Sequence, residues 1–152
     1  MSIVMEAYLF QGISKTAQEH LRDIAERKSC SGGTFLFRGG DPAEVLYVLE
    51  EGRVRLRAGE GGQIAYVLSE PGEVFGWSSV VGQRHYTLSA ECVVPVQVSQ
   101  FEKKALLHVL ERDTHSGMIF FRHLSELIAH RLVNAYQATL SVQGERDAQS
   151  YG

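Results

Sequence analysis

Side chains able to do chemistry concentrate in one stretch, Pro71 to Ala90, PGEVFGWSSVVGQRHYTLSA. It sets Gly76 before Trp77, the only tryptophan of the chain, then Ser78 and Ser79, and ends on Arg84, His85, Tyr86 and Thr87. A planar guanidinium such as that of Arg84 can make two charge-assisted bonds to a phosphate or carboxylate. The two serines could donate to the same anion, or cap a helix start with no ligand at all. The indole could stack on a planar ligand or fill a pocket from within. Ser78 or Ser79 with His85 is the only serine–histidine pairing in sight, and it lacks the strand–elbow–helix setting of a hydrolase, so no catalytic residue is assigned.

Histidines invite a metal reading, since His108, His115, His123 and His130 recur at intervals of seven and eight. Residues seven apart on a helix lie about 10 Å apart along its axis, too far to share one ion. A cupin-type metalloenzyme needs two or three histidines and a glutamate from its strands, whereas only His85 falls in the strand-rich region. Neither a metal site nor a required cofactor is expected. Cys30 and Cys92 form no CxxC pair, and two isolated thiols suit a cytoplasmic protein.

At 152 residues the chain is sized for one domain with a real core. Its net charge of −3 argues against a surface built for nucleic acid. The densest basic run, RVRLR at Arg53–Arg57, has the period of two expected for the solvent face of a strand. There is no apolar run of signal-peptide or membrane-spanning length, so no membrane association is expected.

The elements that must position these residues follow from periodicity. Ser14 reads as the cap of a helix over 14–28, with Ala17, Leu21, Ile24 and Ala25 as its apolar stripe. From 33 to 100, short apolar runs alternate with turn residues: Phe35 and Phe37, a GGDP turn, VLYVL at Val45–Leu49, VRL after Gly52, a GEGG hairpin loop at Gly59–Gly62, IAYVL from Ile64, and VVPVQVS at Val93–Ser99. About seven or eight strands at this spacing indicate an all-β sandwich, jelly roll or barrel. Helical periods return at 101–112 and 115–140. In the longer helix Phe121, Leu124, Ile128, Leu132 and Ala135 approach a coiled-coil seam. A polar tail over 144–152 is expected to fray.

Gly33–Asp41 (GTFLFRGGD), Pro42-Ala43, LYVLEEGRVRL and PGEVFG together resemble the cyclic-nucleotide-binding domain, the sensor fold of the catabolite activator family. The resemblance spans roughly Phe10 to Leu140. It implies a mainly β fold with flanking helices: a jelly-roll β-barrel (a double-stranded β-helix) with an N-terminal helix and a long C-terminal dimerisation helix, in a single domain over 1–152. It implies that the stretch after Phe75 is a phosphate-binding cassette, in which Gly76 matches the family glycine and Arg84 the phosphate-binding arginine. Gly76, Trp77, Ser78, Ser79, Arg84, His85, Tyr86 and Thr87 are then the ligand-binding residues. It further implies a sensor of a small anionic ligand, with cyclic AMP or cyclic GMP as candidates, signalling as a homodimer through 115–140 to a protein partner not yet named. Trp77 stands where the family usually has a glutamate for the ribose 2′-hydroxyl, and an indole only donates. Too few residues follow Leu140 for the helix-turn-helix domain of the DNA-binding members. An interaction module whose pocket is filled by Trp77 and Tyr86 is the alternative.

Overall fold

A computed structural model describes residues 7–58 and 62–151, with side chains as far as Leu140. The described residues form two compact units that divide after Phe120. The first begins with a 3-10 turn, Tyr8–Phe10, and helix α1, Lys15–Ile24. Ser14 caps α1 by accepting from the amide of Ala17 at 3.1 Å, as its position predicts. The helix stops four residues short of the expected boundary at 28, and Glu26–Cys30 forms strand β1 instead. The apolar stripe ends at Ile24 and Ala25, and the next position on that face is Lys28. Pairing with a neighbouring strand then claims the backbone, overriding local helix propensity.

Strands β2 (Phe35–Phe37), β3 (Val45–Glu51), β4 (Val54–Arg57), β5 (Ile64–Leu68), β6 (Val74–Phe75), β7 (Ser89–Cys92) and β8 (Val96–Glu102) follow. They form two antiparallel four-stranded sheets, ordered β1-β8-β3-β6 and β2-β7-β4-β5. This is the two-sheet strand order of the expected jelly roll, but among the described residues no ladder joins the sheets, so the barrel is not closed and each layer keeps its own edge strands. Residues Gly59–Gly61 of the expected GEGG loop lie outside the described residues.

Alternation along β3 explains how one sheet serves two cores. Tyr47 and Leu49 face the second sheet and pack with Val54, Leu56, Leu68, Ala90, Cys92, Val96 and Val98. Leu46, fully buried, pairs with Phe101 on the opposite face. There Phe10 packs its ring 5.3 Å from that of Phe101 and 5.8 Å from that of Phe120. The crossing from β3 to β4 requires Gly52, whose φ is +107° and whose absent Cβ would lie 2.6 Å from the carbonyl oxygen of Pro95.

Helix α2 spans Lys103–Arg112, and α3 spans Thr114–Tyr151. The start of α3 is capped by Asp113, whose carboxylate accepts from the Ser116 amide at 3.1 Å and the Ser116 hydroxyl at 2.9 Å. The Ser14 hydroxyl donates to the same carboxylate, so the starts of α1 and α3 are tied together. These donors, Ser14 foremost, hold the Asp113 carboxyl below its ordinary value. The expected frayed tail is helical as far as Tyr151. No described helix is long and apolar enough to cross a membrane.

Candidate functional site

The loop from Gly76 to Thr87 leaves β6 through a left-handed residue. Gly76 has φ +75°, and a Cβ there would lie 3.0 Å from the Val45 carbonyl oxygen and 3.1 Å from the Tyr47 ring. Only glycine meets both demands comfortably. The chain then makes a 3-10 turn, Trp77–Ser79, rather than a full α-helix. Ser79 is fully buried and donates its hydroxyl to the Gly76 carbonyl at 2.8 Å. It closes the turn, and that bond commits its only hydroxyl proton. Trp77 and Ser78 are half-buried, and the Ser78 carbonyl accepts from the Gln83 amide at 3.2 Å.

After Gly82 the backbone is zipped to the turn at Gly40–Ala43. The Ala43 amide donates to Arg84 O at 2.9 Å, the Tyr86 amide to Asp41 O at 3.0 Å, and the Gly40 amide to Tyr86 O at 2.8 Å. Pro42 and His85 are bridge partners between them. This pairing leaves the side chains of Arg84, His85 and Thr87 exposed and turns Tyr86 inward. Three other arginines are committed to carboxylates: Arg27 to Glu50, and Arg55 and Arg57 jointly to Glu91. Arg55, and then Arg57, keep the Glu91 carboxyl below its ordinary value. Arg84 has no such ion pair among the described residues.

Tyr86 is the anchor of the loop. Its hydroxyl donates to Val45 O at 2.6 Å and accepts from the Val45 amide at 3.1 Å. Its ring stacks on Phe37 with centroids 3.8 Å apart. Phe37 continues to Tyr47 at 5.7 Å, and Tyr47 to Phe75 at 5.1 Å. Burial raises the phenols of Tyr86 and Tyr47 above their ordinary value. Leu36, Tyr66 and Leu88 are only partly buried against the same core.

Of the residues singled out in the sequence, Gly76, Ser79 and Tyr86 build the loop, while Arg84, His85 and Thr87 are presented to solvent. Phe37, Tyr47 and Phe75 were not picked out as site residues. Their signal was available, since each aromatic sits in a short strand-like run that must face a core. Among the described residues no three histidine, cysteine, aspartate or glutamate side chains converge as a metal site would require.

Residues 27–113, more than half of the chain, match the family described as cyclic nucleotide-binding domain. The CRP-like cAMP-activated global transcriptional regulator of Mycobacterium tuberculosis is 26% identical over 106 residues, 68% of this chain and 47% of the regulator. The cyclic AMP receptor protein of Thermus thermophilus is 28% identical over 129 residues, 84% of this chain and 58% of the receptor. The chain thus spans about half the length of these relatives. A putative cyclic nucleotide-binding protein from Geobacter metallireducens superposes with a TM-score of 0.74 at 26% identity, covering 84% of this chain and 93% of that one.

Proposed function

Because the chain belongs to the cyclic nucleotide-binding domain family, we propose that it is a non-catalytic sensor domain that receives a small anionic ligand at Arg84. The observation that carries this reading is an exposed arginine without a carboxylate partner among the described residues, held on a backbone pinned at Arg84 O and at both polar groups of Tyr86. A phosphate would take the guanidinium in the two-bond mode, and a cyclic nucleotide is the candidate the family suggests. The family's contact to the ribose 2′-hydroxyl has no counterpart at Trp77, so affinity would rest on the phosphate and on apolar contact.

The signal would leave through α3 in a homodimer. Leu132, Val133, Tyr136 and Leu140 are each at least half exposed along that helix, and three of them recur at intervals of four. A second copy of the chain would cover them. Sedimentation of the wild type and of Tyr136→Glu tests this: a dimer that Tyr136→Glu weakens is expected, and a wild-type monomer at high concentration would sink it.

Calorimetric titration with cyclic AMP and cyclic GMP tests the ligand. Binding weakened severalfold by Arg84→Ala is expected, since an ion pair in solvent is worth about 1 kcal/mol or less. No heat with either nucleotide removes the cyclic-nucleotide version, and undiminished binding by Arg84→Ala removes the arginine.

A second reading, a ligand-free interaction module, is favoured by the aromatic stack. Tyr86 already uses its ring and hydroxyl internally, and Ser79 its hydroxyl. Under this reading the wild type is silent to both nucleotides and the loop serves protein contact.

A further inference from the structure

Cys30 and Cys92 are 62 positions apart and lie on different sheets. Cys30 ends β1, where its register partner is Val96, and Cys92 ends β7, where its register partner is Val54. Val96 and Val54 are both buried in the core between the sheets. Directly paired residues of antiparallel strands project to the same face, so both thiols point into the space between the layers. The turn leaving Cys30 holds Cys92 by the backbone: the Gly33 amide donates to Cys92 O at 2.7 Å and the Cys92 amide to Thr34 O at 2.8 Å. Cys92 belongs to the inter-sheet core and Cys30 packs against it. Cys30 lies near enough to act on the Cys92 thiol.

We propose that Cys30 and Cys92 form a redox-active dithiol whose oxidation by a hydroperoxide links the two sheets through a disulfide. Cys30 is half-exposed and Cys92 fully buried, which assigns their order of reaction. The Cys30 thiolate attacks the peroxide; the S–O bond forms, the O–O bond breaks, and the released oxygen leaves as water or alcohol with the thiol proton. The sulfur has then lost two electrons to the peroxide and is a sulfenic acid. The Cys92 sulfur attacks it, the S–S bond forms and the S–O bond breaks, and the hydroxyl leaves as water with the Cys92 proton. Burial, first among several influences, raises the Cys92 thiol above its ordinary value. It is the burial of Cys92 that keeps it from meeting an oxidant directly and leaves it to resolve a sulfenic acid on Cys30.

The test treats the whole chain, folded and reduced, with one equivalent of hydrogen peroxide, then counts thiols after denaturation and measures intact mass. Expected are loss of both thiols, a mass lower by two hydrogens, a Cys30–Cys92 peptide on digestion, and a Tm raised by several degrees that dithiothreitol reverses, because the link closes a loop of about 60 residues. Cys92→Ala should stop at a sulfenic acid on Cys30 that dimedone captures. Should Cys92→Ala not fold, Cys30→Ser gives the same information, since its remaining thiol should survive the treatment. Two thiols persisting in the wild type, added oxygen without loss of hydrogen, or a linkage between chains would each overturn the proposal.

Discussion

Replacing Tyr86 by phenylalanine isolates what the phenol hydroxyl contributes to the loop. The ring can keep its stack on Phe37, 3.8 Å away, while both bonds to Val45, at 2.6 and 3.1 Å, are lost. Each such bond contributes roughly 1 kcal/mol net, and an orphaned backbone group costs about that much or more. The residue before β3 pairs its carbonyl elsewhere, with the Lys103 amide, so no neighbour is released to replace the hydroxyl. The expected loss is therefore about 2 kcal/mol, a fall in Tm of roughly 4–8 °C for a chain of this size. Urea unfolding should show a lower midpoint with an unchanged slope, and hydrogen exchange at the Val45 amide should accelerate. A Tm within about 1 °C of wild type, with Val45 protected as before, would refute the anchoring role.

The same geometry makes other outcomes specific. Gly52→Ala should destabilise by at least about 2 kcal/mol by urea unfolding, since it combines a left-handed backbone with a 2.6 Å clash on Pro95 O. Asp113→Asn should lower Tm near neutral pH and flatten its acid limb. The lowered native carboxyl stabilises the fold above its unfolded value, and that contribution is lost as pH falls through the native one. Alkaline titration followed by tyrosinate absorbance should show two late-ionising phenols, Tyr47 and Tyr86. Their raised native values mean stability is intact below the ordinary phenol value and falls as pH rises beyond it.

The strands were legible where one face is apolar and turns are marked by glycine: VLYVL, VRLR and IAYVL all lie where their periodicity put them. β1 was not, because ERKSC carries no alternating apolar face and is exposed along most of its length. Its strand state is set by pairing with β8 and by the hold of Arg27 on the buried Glu50, contacts that no local window contains. Residues in Gly76–Thr87 were recognisable as a loop with an arginine, but their division of labour was not. Whether Ser79 faces a ligand or its own turn depends on the left-handed geometry at Gly76. Whether Tyr86 or His85 turns inward depends on the bridge of Pro42 to His85. The closeness of Cys30 and Cys92 was likewise hidden, because it arises only when β1 and β7 are laid on facing sheets.

That division of labour constrains any ligand. Bonds to Gly40, Asp41, Ala43 and Val45 already order residues 84–86, so binding would not have to supply the entropy of folding the arginine's backbone. The guanidinium itself lies in solvent, where a single ion pair is worth about 1 kcal/mol or less. Charge alone would then hold a phosphate weakly, and useful affinity must come from an apolar body leaving water. Leu36, Tyr66 and Leu88, partly buried against the core, are among the surfaces that would gain from such contact. A ligand with a planar apolar group should therefore bind far more tightly than inorganic phosphate. Equal and feeble binding of the two would show instead that Arg84 is an isolated surface charge.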